Sequence, residues 1–96
     1  MKLKDVTREE WIEALESGKY RKGQGVLLSE SDGRMCCLGV LSELRGVPRS
    51  ELTGVGYPPR SWCPDWLTRD AVGDLAWLND HYPGYPIEAI KTLETE

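Results

Sequence analysis

Phenylalanine is absent from this 96-residue chain, so each of its aromatic rings, four tryptophans and four tyrosines, carries a polar atom beside its flat face. Any such ring that is buried has to find a hydrogen-bond partner for its N–H or O–H. Histidine is reduced to His81, which leaves imidazole chemistry and metal ligation to one residue. Cysteine is sparse and odd in number, at Cys36, Cys37 and Cys63. With no charged-then-apolar leader ahead of them, these thiols predict neither secretion nor a disulfide framework, and a cytoplasmic location is expected. No apolar run is long enough to span a bilayer, so no membrane association is expected. Positive charge is also in deficit, with twelve Lys and Arg against sixteen Asp and Glu and a net charge of -4. That balance weighs against a protein that tracks a long phosphodiester backbone, and it leaves a small anionic ligand open.

The length fits one domain over residues 1–96. A chain of this size hides only about two-thirds of its unfolded surface, so a homo-oligomer that buries more is expected. Thr7-Arg8-Glu9-Glu10 has the form of a capping box, with Trp11, Ile12 and Leu15 following at helical spacing. This predicts a first helix from Arg8 to about Ser17, closed by Gly18. Ser31-Asp32-Gly33 has the chemistry of a turn and predicts a short β-hairpin across residues 25–37. Leu38, Val40, Leu41 and Leu44 are spaced for a buried helix ending at Gly46. Gly39 inside it costs up to about 1 kcal/mol against alanine, which close approach of another backbone would explain.

From Val47 to Pro64 the chain is rich in proline and glycine and reads as a long surface loop with one helical turn near Ser50–Leu52. Helical segments capped at Thr68 or Asp70 should then run to about Asp80. A last helix should follow Pro86, with Ile87, Ile90 and Leu93 on its apolar face. The expected fold class is α+β: a mainly helical small domain with one short β-hairpin.

Two clusters are candidates for binding. Lys19-Tyr20-Arg21-Lys22 gathers three cations within four residues between glycines, which suits a local anion site, although positive charge at a helix exit is also favourable in itself. Tyr57, Arg60, Trp62 and Trp66 form an aromatic group with one cation, stiffened by Pro58, Pro59 and Pro64. These rings could stack on a base while the guanidinium meets phosphate, or Trp62 and Trp66 could close one edge of the core. The vicinal Cys36 and Cys37 lie in an apolar run and read as small core residues. No spaced carboxylate pair, nucleophile with adjacent base, or metal-ligand pattern stands out, so neither catalytic residues nor a cofactor are expected.

Lys19 to Gly25, the Asp32-Gly33 turn and Cys36-Cys37-Leu38-Gly39-Val40-Leu41, with Leu75-Ala76-Trp77-Leu78-Asn79-Asp80 and Ile87-Glu88-Ala89-Ile90 further on, resemble a family of small proteins of tailed bacteriophages and prophages with no assigned activity. Between Val47 and Trp66 the chain departs from that pattern. The resemblance implies a viral accessory protein made in a host bacterial cytoplasm. With the composition, it leads to the expectation of a counter-defence factor that acts by binding. The first candidate is sequestration, by an oligomer, of a small or cyclic nucleotide immune signal. The alternative is an inhibitor docking on a host or defence protein, and a small nucleotide-degrading enzyme ranks third.

Overall fold

Helix α1 (Arg8–Glu16) begins where its capping box places it: the Thr7 hydroxyl accepts from the Glu10 N–H at 3.1 Å and the Glu10 carboxylate accepts from the Thr7 N–H at 3.0 Å. It ends at Ser17, and Gly18 follows with φ at +80°. The computed structural model describes residues 3–93, in which four further helices follow. These are α2 (Cys37–Leu44), α3 (Arg49–Leu52), α4 (Arg69–His81) and α5 (Ile87–Lys91), with a 3-10 turn at Arg60–Trp62 between α3 and α4.

Helix α2 is the hub. Every residue from Cys37 to Ser42 is buried, and the helix packs against α1, α3 and α4, while α5 lies on α1. Gly39 shows how tightly the hub is surrounded, because a Cβ there would stand 2.0 Å from the Leu27 carbonyl oxygen. The missing side chain lets backbone lie directly on helix. Three of the polar rings around this core are satisfied by main chain. Trp11 Nε1 donates to the Cys37 carbonyl at 2.9 Å, Trp66 Nε1 to Val6 at 3.0 Å, and the Tyr85 hydroxyl to Met35 at 2.9 Å.

The expected β-hairpin across residues 25–37 does not form. Among the described residues the fold is helical without a strand, which corrects the α+β expectation. The turn itself is present: Gly33 has φ at +72° and donates to the Ser29 carbonyl at 3.0 Å, while the Asp32 carboxylate accepts from the Arg34 N–H at 3.1 Å. A ladder fails to grow from it for two reasons. The return arm runs out after Met35, because Cys36 already caps α2 with its sulfur accepting from the Gly39 N–H at 3.4 Å. The outgoing arm is engaged elsewhere, with the Leu27 N–H donating to Val55 at 2.7 Å and the Leu28 carbonyl accepting from Gly54 at 3.2 Å. Met35 pairs with the basic loop, donating to Arg21 at 2.9 Å and accepting from Gly23 at 2.8 Å. Single bridges therefore link Met35 to Lys22 and Leu28, and Leu28 to Thr53, in place of a sheet.

Asn79, on α4, has no exposed surface. Its side-chain oxygen accepts from the Cys37 N–H at 3.0 Å and its amide donates to the Gly23 carbonyl at 2.9 Å, which joins α4 to the start of α2 and to the basic loop. Asn79→Ala leaves both backbone groups without that partner and is expected to destabilise the fold by about 1–3 kcal/mol for each. Gly39→Ala is expected to cost about 2 kcal/mol or more despite alanine's higher helix propensity, because its contact is backbone that cannot swing away. Urea unfolding of the two variants measures both losses.

Candidate functional site

The segment ahead of α4 is shaped by proline. Pro59 precedes the 3-10 turn, in which the Trp62 N–H donates to Pro59 at 3.0 Å and the Cys63 N–H to Arg60 at 3.1 Å. Arg60 Nη1 reaches across to the Leu67 carbonyl at 2.5 Å, and the Thr68 hydroxyl caps α4 by accepting from the Ala71 N–H at 3.1 Å. Tyr57 lies along α4, with its hydroxyl oxygen 3.5 Å from where a Cβ on Gly73 would stand.

These elements enclose a cleft of about 340 Å³ lined by Tyr57, Pro58, Arg60, Cys63, Arg69 and Val72. Two arginines and a tyrosine that is 47% exposed thus share the cleft with apolar Pro58 and Val72. Among the described residues no carboxylate lines it. The ion pairs among the described residues, Arg34–Asp32, Arg49–Glu43 and Lys91–Glu88, involve neither Arg60 nor Arg69. Arg69 is the first residue of α4, where the helix dipole presents its positive end and a cation is unfavourable. Behind the cleft, burial pushes the Cys63 thiol up, opposed by the positive charges of Arg60 and Arg45. Arg45 donates through Nε to the Lys4 carbonyl at 3.0 Å, and its buried Nη1 has no partner among the described residues.

The eight expected binding residues are distributed over different places. Tyr57 and Arg60 line the cleft. Trp62 and Trp66 are half-buried against the core, and Trp66 sits 6.2 Å from Trp11 between ring centroids, tilted by 49°, with its indole committed to Val6. They do not form a sandwich. In the basic loop Lys19 is exposed and Arg21 donates to the Asp32 carbonyl. Lys22 donates to the Tyr82 carbonyl at 2.6 Å. Tyr20 is half-buried, its hydroxyl pushed up by burial and by the adjacent Glu43 carboxylate. Lys22 lines a second pocket of about 360 Å³ with Gly23, Gln24, Arg34 and Pro83, which shares no residue with the cleft. The two candidate clusters are therefore separate surfaces. Arg69, missed in the sequence, had one signal there: a cation directly after the capping residue Thr68.

All three cysteines are free and buried, and burial raises each thiol above its ordinary range, Cys37 most strongly. At mildly alkaline pH, iodoacetamide is expected to modify Cys63, on the cleft wall, before Cys36, and to reach Cys37 only after unfolding; peptide mapping of a time course checks the order. A raised thiol pKa favours the neutral form in the folded chain. Stability from this source is thus complete below the unfolded cysteine value of about 8.5 and declines as pH rises from there.

No curated protein and no solved structure matches the chain. The model of a family described as a domain of unknown function, DUF8296, matches residues 3–53. That span holds α1, the basic loop, α2 and α3, and it stops before Tyr57. As it covers more than half of the sequence, the chain belongs to the DUF8296 family.

Proposed function

We propose that the protein binds a small phosphorylated ligand with a planar ring in the Tyr57–Arg60–Arg69 cleft and holds it without converting it. The carrying observation is that two arginines outside the ion pairs among the described residues line one cleft together with apolar Pro58 and Val72 and the exposed Tyr57. Planar guanidinium suits bidentate contact with phosphate, and the tyrosine ring offers a stacking face. Arg69 adds weight because the helix dipole makes its position costly, a cost that an anion held between the guanidinium and the helix N-terminus offsets. Among the described residues the cleft wall carries no imidazole or carboxylate to serve as a general base, which supports retention over turnover.

In the phage setting that the sequence resemblance implies, the ligand is a small or cyclic nucleotide immune signal. The activity is then sequestration by an oligomer in a host bacterial cytoplasm. The alternative is direct inhibition of a defence protein, favoured by the exposed row Glu9, Glu13 and Glu16 on α1, which lines an open groove with Arg8 and Lys91.

Thermal unfolding in the presence of mononucleotides, cyclic dinucleotides and ADP-ribose tests the proposal, with the ligand recovered after heat denaturation for mass analysis. The right ligand at a hundredfold excess over Kd is expected to stabilise the fold by about 2.7 kcal/mol and to be recovered intact. Arg60→Ala and Arg69→Ala should abolish the shift. Arg69→Glu should do so while stabilising the ligand-free protein by about 0.3–1 kcal/mol through the helix dipole. A shift that survives loss of both arginines overturns the cleft assignment, an altered ligand overturns retention, and no shift with any nucleotide moves the function to a protein target.

A further inference from the structure

The far end of α4 carries a surface that the cleft does not use. Trp77 and His81, four residues apart on one helix face, stack with ring centroids 4.2 Å apart and planes within 17°. Tyr82, where the helix gives way to extended chain, turns its ring edge-on to Trp77 at 6.4 Å and 73°. Trp77 is 56% exposed and Tyr82 53%, whereas the indoles of Trp11 and Trp66 are committed to backbone carbonyls. Together they make a solvent-exposed aromatic shelf, a stacked Trp77–His81 pair with Tyr82 set edge-on beside it. Its backbone position is fixed, because the Trp77 carbonyl lies 2.8 Å from His81 Nδ1 and the Tyr82 carbonyl is held by Lys22 Nζ.

The same lysine bond brings positive charge to the shelf. Lys22 and Arg34 both line the pocket that Pro83 edges directly after Tyr82, and among the described residues no carboxylate lines it. Asp80 accepts from the Gly25 N–H at 3.0 Å and keeps its charge, and Asp32 pairs with Arg34 at 3.2 Å. Lys22 supplies a cation outside the ion pairs among the described residues, with Arg21 on the same loop donating to a main-chain carbonyl.

We propose that the Trp77–His81 shelf and the Lys22–Arg34 pocket beside it form a site for an unpaired nucleotide of a single-stranded nucleic acid, its base stacked on the rings and its phosphate in the pocket. An acidic peptide would satisfy the cations and leave the rings without a planar partner. A duplex offers bases that are already stacked on one another. The overall charge of -4 sets the extent, since a chain this acidic gains nothing from tracking many phosphates. The site takes one or two nucleotides, with stacking supplying most of the affinity. It does not depend on what the cleft binds.

Fluorescence anisotropy with a labelled single-stranded oligothymidylate tests it on the full chain, beside an abasic strand of equal length, the same sequence as a duplex, free thymidine monophosphate, and polyglutamate as competitor. The oligothymidylate is expected to bind and quench tryptophan emission. Trp77→Ala should weaken binding roughly five- to a hundredfold. Lys22→Ala should flatten the dependence of log K on log salt by about 0.7. Arg60→Ala, in the cleft, should leave oligothymidylate binding unchanged, which separates this site from the cleft proposal. Circular dichroism of each variant confirms that the fold is intact. Free thymidine monophosphate that displaces the strand supports the stacking of a single nucleotide unit. Equal binding of the abasic strand or the duplex overturns the proposal, as does complete displacement by polyglutamate or an unaffected Trp77→Ala variant.

Discussion

The architecture depends on one buried amide. Asn79 reaches from α4 to the first N–H of α2 on one side and to the Gly23 carbonyl on the other. Both backbone groups belong to segments with no sheet to satisfy them. In an apolar surrounding such a donor and acceptor would each be expensive to leave unmade. A leucine at this place could fill the space and could not make the connection. The loop that precedes the core is thus stitched to it through polar contacts, with Asp80 and Lys22 extending the seam on either side.

That seam explains which parts of the fold were legible in the sequence. Local signals were read correctly where the structure satisfies them locally: the Thr7 capping box, the Thr68 cap, and Gly46, whose φ of +99° follows the Arg45 cap of α2. Gly39 was legible as a close approach because its cost in a helix needed a reason, and Leu27 supplies it. The hairpin was misread although its turn chemistry was read correctly. A turn sets the direction of two arms, but a ladder needs their backbone groups to be free, and here Val55, Arg21 and Gly23 had already taken them. No pattern within residues 25–37 could have announced those distant partners.

The candidate sites follow the same division. Tyr57 and Arg60 are close in sequence and close in the cleft. Arg69 joins them only because the proline-bounded turn folds back on the start of α4. Trp66 reads either as a stacking ring or as an edge of the core, because tryptophan beside a loop serves both roles, and its indole donates to Val6, sixty residues away. The exposure of Trp77 was not legible, since exposure depends on what packs over a face and not on the residue that presents it.

The contact between Gly39 and Leu27 has a mechanical side. Side chains absorb small displacements by changing rotamer, but these two residues meet through main chain, where no such slack exists. The segment that leaves the basic loop is consequently a strut braced against the central helix, not a flap. A displacement of Leu27 is carried into α2 as a push on packed main chain, which has no rotamer to change.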